Sequence, residues 1–190
     1  CVMTVEQQKL YRKHLALAKR QISDFDGADE KDKGRRRMDI LGELTRLRQI
    51  CCDPSLFMDN YTGGSGKLEA LEDLLENLLE GGHRILLFSQ FTTMLQIIQK
   101  RQRELGRSVL YIDGQVPSKN RLDLVQRFNA GEGDIFLISL KAGGTGLNLT
   151  GADVVIHYDP WWNPAVENQA TDRAHRMGQR KVVQVFRMVT

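Results

Sequence analysis

The sequence predicts a parallel α/β sheet flanked by helices, with a helical segment ahead of it, and two observations carry that reading. Residues 84–89 (RILLFS), 108–113 (SVLYID), 134–139 (DIFLIS), 153–158 (DVVIHY) and 182–187 (VVQVFR) are short apolar runs, most of them rich in β-branched residues, as strands buried on both faces are. Between the early runs lie helical patterns, residues 92–105 closed by Gly106 and residues 118–128 opened by Ser118. Strands that alternate with helices pair in parallel.

Each element has its own justification. Residues 5–22 carry Leu10, Leu17 and apolar neighbours at helical spacing. Residues 23–37 are dense in charge, hold two glycines and have one large apolar residue, Phe25. They are expected to form a charged loop, and the basic end Lys33-Gly34-Arg35-Arg36-Arg37 is read as solvated linker rather than as a nuclear address or a phosphate contact. Ile40, Leu44, Leu47 and Cys51 share one face of a helix that Asp53-Pro54 should end, which makes Cys51 core. A glycine-rich connection at residues 61–66 leads to Leu68, Leu71, Leu74, Leu75, Leu78 and Leu79, a helical stripe that Gly81-Gly82 stops. The expected division is a helical segment over residues 1–62, with the charged loop at 23–37, and an α/β lobe over residues 63–190.

Composition bounds the function only loosely. The 190 residues are 41% hydrophobic and 27% charged, the balance of a globular protein able to bury a sizeable core. No apolar run approaches the roughly 18 residues that span a bilayer, and Cys1-Val2-Met3-Thr4 lacks signal-peptide character. Three cysteines, two of them adjacent at Cys51 and Cys52, make neither a disulfide framework nor a zinc pattern. An intracellular protein without a membrane partner is expected. A net charge of +3 permits an anionic partner without arguing for one.

In parallel sheets the working loops emerge at the carboxyl ends of the strands. Gly63-Gly64-Ser65-Gly66-Lys67 is not such a loop: P-loop spacing needs glycine where Tyr61 stands and Ser or Thr where Leu68 stands. It reads as a flexible connection, which leaves the chain without a Walker A loop. Gly143-Gly144-Thr145-Gly146, in contrast, follows a strand. Its glycines would let backbone N–H groups approach a phosphate, with Lys141 and Thr145 adding a charge and a hydroxyl, although a tight structural turn explains Gly143 and Gly144 equally well. Asn163-Pro164 should open a helix that runs to about Met177. On it Val166, Ala170, Ala174 and Met177 would face the sheet, and Gln169, Asp172, Arg173 and Arg176 would share the neighbouring face. Two arginines there suit the charge of a transferring phosphoryl group; a surface pair of Asp172 with Arg176 is the plainer alternative.

The order of these pieces resembles a known family. Residues 85–91 (ILLFSQF), 111–114 (YIDG), 139–149 (SLKAGGTGLNL), 159–164 (DPWWNP) and 169–179 (QATDRAHRMGQ) resemble helicase motifs IV, IVa and V, the segment after V, and motif VI of Swi/Snf-type ATPases. The similarity runs from about Leu44, through residues 47–54 (LRQICCDP) and 65–68 (SGKL), to the last residue. The His-Arg-x-Gly-Gln ending differs from the His-Arg-x-Gly-Arg of DEAD-box RNA helicases.

This resemblance implies the second, C-terminal RecA-like lobe of a double-stranded-DNA translocase or remodeller. The P-loop and the Mg²⁺-binding acidic motif would belong to an N-terminal lobe outside these residues, so the 190 residues alone are expected to hydrolyse no ATP. Arg173 and Arg176 match arginine fingers reaching the γ-phosphate, with Gln169 ordering them. Gly144, Gly146 and Asn148 match positions near the nucleotide, and Ser139, Lys141 and Thr145 match positions near the DNA backbone. Trp162 matches a tryptophan near the DNA groove, with aromatic core as the alternative for Trp161-Trp162. His175 is read as structural. The partners implied are duplex DNA, the N-terminal lobe and a DNA-bound protein substrate. The location would be cytoplasmic in a bacterium and nuclear in a eukaryote. The alternatives are a strand-separating helicase lobe and a non-catalytic interaction module.

Overall fold

A computed structural model describes residues 1–26, 30–143, 146–160, 163–174 and 182–190. The chain divides into two compact units, residues 1–70 with residue 190, and residues 71–189.

In the first unit, α1 (Val5–Asp26) packs along α2 (Glu30–Cys52). The charged loop expected over residues 23–37 is largely helix: α1 continues to Asp26, and α2 already begins at Glu30. The reason is local, because Lys, Arg and Glu are good helix formers and the exposed Gly34 costs only about 1 kcal/mol. The buried face of α1 also differs from expectation. Leu17 is 40% exposed, while Gln7, His14 and Ala18 are buried. Gln7 is satisfied there: its amide donates to Ile50 O at 2.9 Å and accepts from Gly66 N at 3.0 Å. His14 Nδ1 lies 2.9 Å from Glu43 Oε2. Cys51 is only half-buried, and Cys52 takes the core position instead. Burial nevertheless pushes the Cys51 thiol upward, against the opposing charges of Lys67 and Arg48.

Asp53 caps the short turn that ends α2, accepting from Ser55 N at 2.8 Å. α3 (Gly66–Glu80) follows. Its start, the would-be phosphate loop, is occupied by the chain itself. Ser65 Oγ accepts from Leu68 N at 3.2 Å and donates to Cys52 O at 2.6 Å, and Lys67 is buried.

The second unit holds β1 (Ile85–Ser89), α4 (Thr92–Glu104), β2 (Val109–Ile112), α5 (Ser118–Asn129), β3 (Ile135–Ser139), α6 (Leu140–Gly143), β4 (Val154–His157), α7 (Pro164–Thr171) and β5 (Gln184–Arg187). The strands form one parallel sheet in the order β2-β3-β1-β4-β5. This is the helix-flanked α/β architecture that the apolar runs predict. Alternate residues Leu86, Phe88, Leu110, Ile112, Phe136, Ile138 and Val155 form one core with Val125 and Phe128 of α5 and with Ala170 and Ala174. The other set, including Ile85, Leu87, Ile135 and Leu137, is buried as well, and α4 packs against β1, β2 and β3. Register makes the strands end together, with Ser89 opposite Ser139, so the loops after β1 and β3 leave from one edge.

Candidate nucleotide and DNA site

That carboxyl edge gathers several of the expected residues. Ser89 turns the chain sharply, its Oγ accepting from Phe91 N at 3.1 Å, and Gln90 N donates to the buried Asp159 at 3.1 Å. Gln90, Phe91, Leu140, Lys141 and Val166 line an open cleft of about 500 Å³, with Lys141 exposed. The residues after Ser139 do not start as a glycine loop: Leu140–Gly143 form one helical turn, which puts Ala142 into the core while Lys141 faces out. Ser139 is itself only 1% exposed.

Beyond the turn, Gly146 and Asn148 are exposed and Leu147 and Leu149 are buried. The leucines pin the segment to the core. Asn129 spans its far end, donating from Nδ2 to Asn148 O at 2.8 Å and accepting from Gly151 N at 2.9 Å. Gly146 adopts φ +69, which L side chains rarely do. A Cβ on Gly146 would stand 3.9 Å from Arg173 Nη1, so the exposed glycine and the first arginine are neighbours. Leu149 N also donates to Arg173 O at 3.0 Å.

Asn163 caps α7 as expected, accepting from Ala165 N at 3.1 Å. The helix is shorter than the sequence suggests. It ends at Thr171, and Arg173 N and Ala174 N bond back three residues, to Ala170 O and Thr171 O. That tightening breaks the expected polar face: Gln169 and Asp172 are exposed, while Arg173 is 3% exposed. Val166, expected at the sheet, is only half-buried. Gly144, Thr145, Trp162, His175 and Arg176 lie outside the described residues.

Two cross-links, which sequence reasoning missed, place α7. Arg187 Nε of β5 donates to Glu167 Oε2 at 2.8 Å, and His157 Nε2 of β4 lies 3.0 Å from Thr171 Oγ1. Both pair residues distant in sequence, so no local pattern announces them. Burial pushes the His157 pKa below its ordinary value; Glu167 opposes that shift and Arg187 adds to it. A native histidine that resists protonation lets the unfolded chain take up the proton first. Stability from this group is therefore complete above about pH 6.5 and declines as pH falls below it. In His157→Gln the thermal midpoint should depend less on pH between about 6.5 and 5 than in the parent; an identical dependence would contradict the assignment.

The profile of the helicase conserved C-terminal domain matches residues 66–178. The chain belongs to that family, among its Swi/Snf-type members. It is similar to an uncharacterised ATP-dependent helicase of Mycoplasma genitalium, 40% identical over 191 residues, which cover 98% of this chain and 18% of that protein. It is also similar to the mouse SWI/SNF-related matrix-associated actin-dependent regulator of chromatin subfamily A member 1, 42% identical over 167 residues, 81% of this chain and 16% of that one. The chain thus spans less than a fifth of the length of these two relatives. Among solved structures, the Sulfolobus solfataricus SWI2/SNF2 ATPase core in complex with dsDNA superposes with a TM-score of 0.79 at 32% identity, over 100% of this chain and 39% of that one. The parallel sheet is accordingly the RecA-like sheet of a helicase C-terminal lobe. No helix among the described residues is long and apolar enough to cross a membrane.

Proposed function

We propose that this helicase C-terminal lobe is the second motor lobe of an ATP-driven translocase on double-stranded DNA. The observation that carries the reading is the proximity of the exposed Gly146 to the Arg173 guanidinium. There, exposed backbone and a guanidinium can converge on one phosphate chain. Gly144, Gly146 and Asn148 would line the nucleotide, and Arg173 and Arg176, ordered by Gln169, would neutralise charge on the transferring phosphoryl group. Because Arg173 is buried among lobe residues, it would act largely in place, and Arg176 would supply the reach. The N-terminal lobe would contribute the phosphate loop and hold Mg²⁺, so that hydrolysis requires the lobes to close, and these residues alone would not turn ATP over.

Ser139, Lys141, Thr145 and Trp162 would form this lobe's part of the DNA groove, gripping phosphates rather than reading bases. Exposure of Lys141 beside the cleft supports that role; Ser139, being buried, would serve by shaping the strand end. A DNA-bound protein would be the object moved. Lys141→Ala in the two-lobe protein should weaken binding to duplexes of different sequence by similar factors and lower the salt slope by about 0.9, one phosphate contact. Unchanged binding would remove Lys141 from the groove. Stimulation of ATPase turnover by single-stranded rather than duplex DNA would favour a strand-separating helicase, and no nucleic-acid stimulation would favour an interaction module.

A further inference from the structure

Helix α1 carries a second, separate concentration of charge. From Gln7 to Ser23 the sequence has no Asp or Glu, yet it has Lys9, Arg12, Lys13, Lys19 and Arg20, more positive charge than the whole chain's net +3. All five are exposed. At about 100° per residue they fall, with Ala16, within a sector about 120° wide that is centred opposite Gln7, His14 and Ala18, the residues that α1 buries. Arg20 pairs with Asp24 at 4.0 Å, both of them exposed, a contact of little energetic weight, and Glu6 precedes the set in the first turn of α1. The stripe extends about 16 Å along the helix axis.

Five cations held this way repel one another, which costs stability unless an anion approaches. The form of the stripe indicates which anion. It is straight and one-dimensional, and it has no aromatic or large apolar residue within it to anchor in a protein pocket, as protein interfaces usually require. Each strand of a duplex presents one phosphate per about 3.4 Å of helix axis, an array of matching sign and scale. We propose that the outer face of α1 is a second nucleic-acid contact, which grips the sugar–phosphate backbone of duplex DNA independently of sequence. It rests on the proposed translocase function only in taking DNA as the polyanion.

The test uses the intact two-lobe protein and a fluorescent 40-base-pair duplex, with affinity measured across a salt series. A variant carrying Lys9→Gln, Arg12→Gln, Lys13→Gln, Lys19→Gln and Arg20→Gln keeps good helix formers on an exposed face. It should bind at least about tenfold more weakly at low salt, with the salt slope reduced by about two. If the fivefold variant misfolds by circular dichroism, the pairs Lys9→Gln/Lys13→Gln and Lys19→Gln/Arg20→Gln should each reduce the slope by about one. Unchanged duplex affinity and slope in well-folded variants overturns the proposal, and loss of polyglutamate binding alone would assign the stripe to an acidic protein instead. Lys141→Ala run in parallel separates the two claims. A slope lowered by Lys141→Ala but not by the α1 variants sinks only the second contact, whereas failure of the parent protein to bind duplex sinks both.

Discussion

Replacing Arg176 by alanine in the two-lobe protein is expected to cut DNA-stimulated ATP turnover at least about a hundredfold, while the fold and nucleotide-free DNA binding change little. Arginine fingers contribute on the order of 10³ to 10⁵ to phosphoryl transfer, so even a partial share leaves a large deficit. Lysine should not rescue, because a point charge cannot reproduce the planar fork of donors. The competing reading, a surface pair with Asp172, predicts a loss of a fraction of a kcal/mol in stability and near-normal turnover. Thermal midpoint, apo DNA affinity and turnover measured on the same preparations distinguish the two. Turnover within about threefold of the parent would refute the arginine-finger role.

A loss of about 2–3 kcal/mol in stability is expected for Arg84→Ala, far from the chemistry. Arg84 stands just before β1, at the amino edge of the sheet. Its guanidinium donates to Glu132 O at 3.1 Å, to Gly133 O at 2.7 Å and to Gly151 O at 3.1 Å, and it lies 4.0 Å from the Phe128 ring centroid. One side chain thus ties the turn after α5 to the turn before β4. Removing it leaves three carbonyls without this donor and uncovers Phe128. Burial depresses the Arg84 pKa, opposed by Asp134 and Asp153, yet an arginine remains charged across the working range. The midpoint should fall by roughly 5–10 °C, and lysine, with its single charged tip, should recover little of it. DNA affinity of the folded protein should not change. A loss below about 0.5 kcal/mol would mean that solvent replaces these bonds fully.

Strand content was legible because burial on both faces removes polar alternation, and residues 85–89 and 135–139 read as strands from composition alone. Helix starts were legible where a local signal exists, as at Asn163-Pro164. Charge density over residues 30–37 suggests a solvated loop, whereas the same lysines and arginines are helix formers and α2 runs through them. The end of α7 at Thr171 is not marked locally. An uninterrupted helical pattern gave no sign that the Leu149 N–H would engage Arg173 O.

Sequence by itself determined the strands, most helix boundaries and, through ordered motifs, the identity of a helicase C-terminal lobe, since each depends on residue type and short spacing. Tertiary structure alone decided which residues meet. Gly146 beside Arg173, Glu167 with Arg187, and Arg84 beneath two turns join positions 20 to 67 residues apart. Such contacts follow from the order β2-β3-β1-β4-β5, and no local propensity encodes strand order. Burial of Arg173 is likewise a tertiary fact: spacing assigns it to a polar face, whereas in the tight turn that follows α7 it is only 3% exposed.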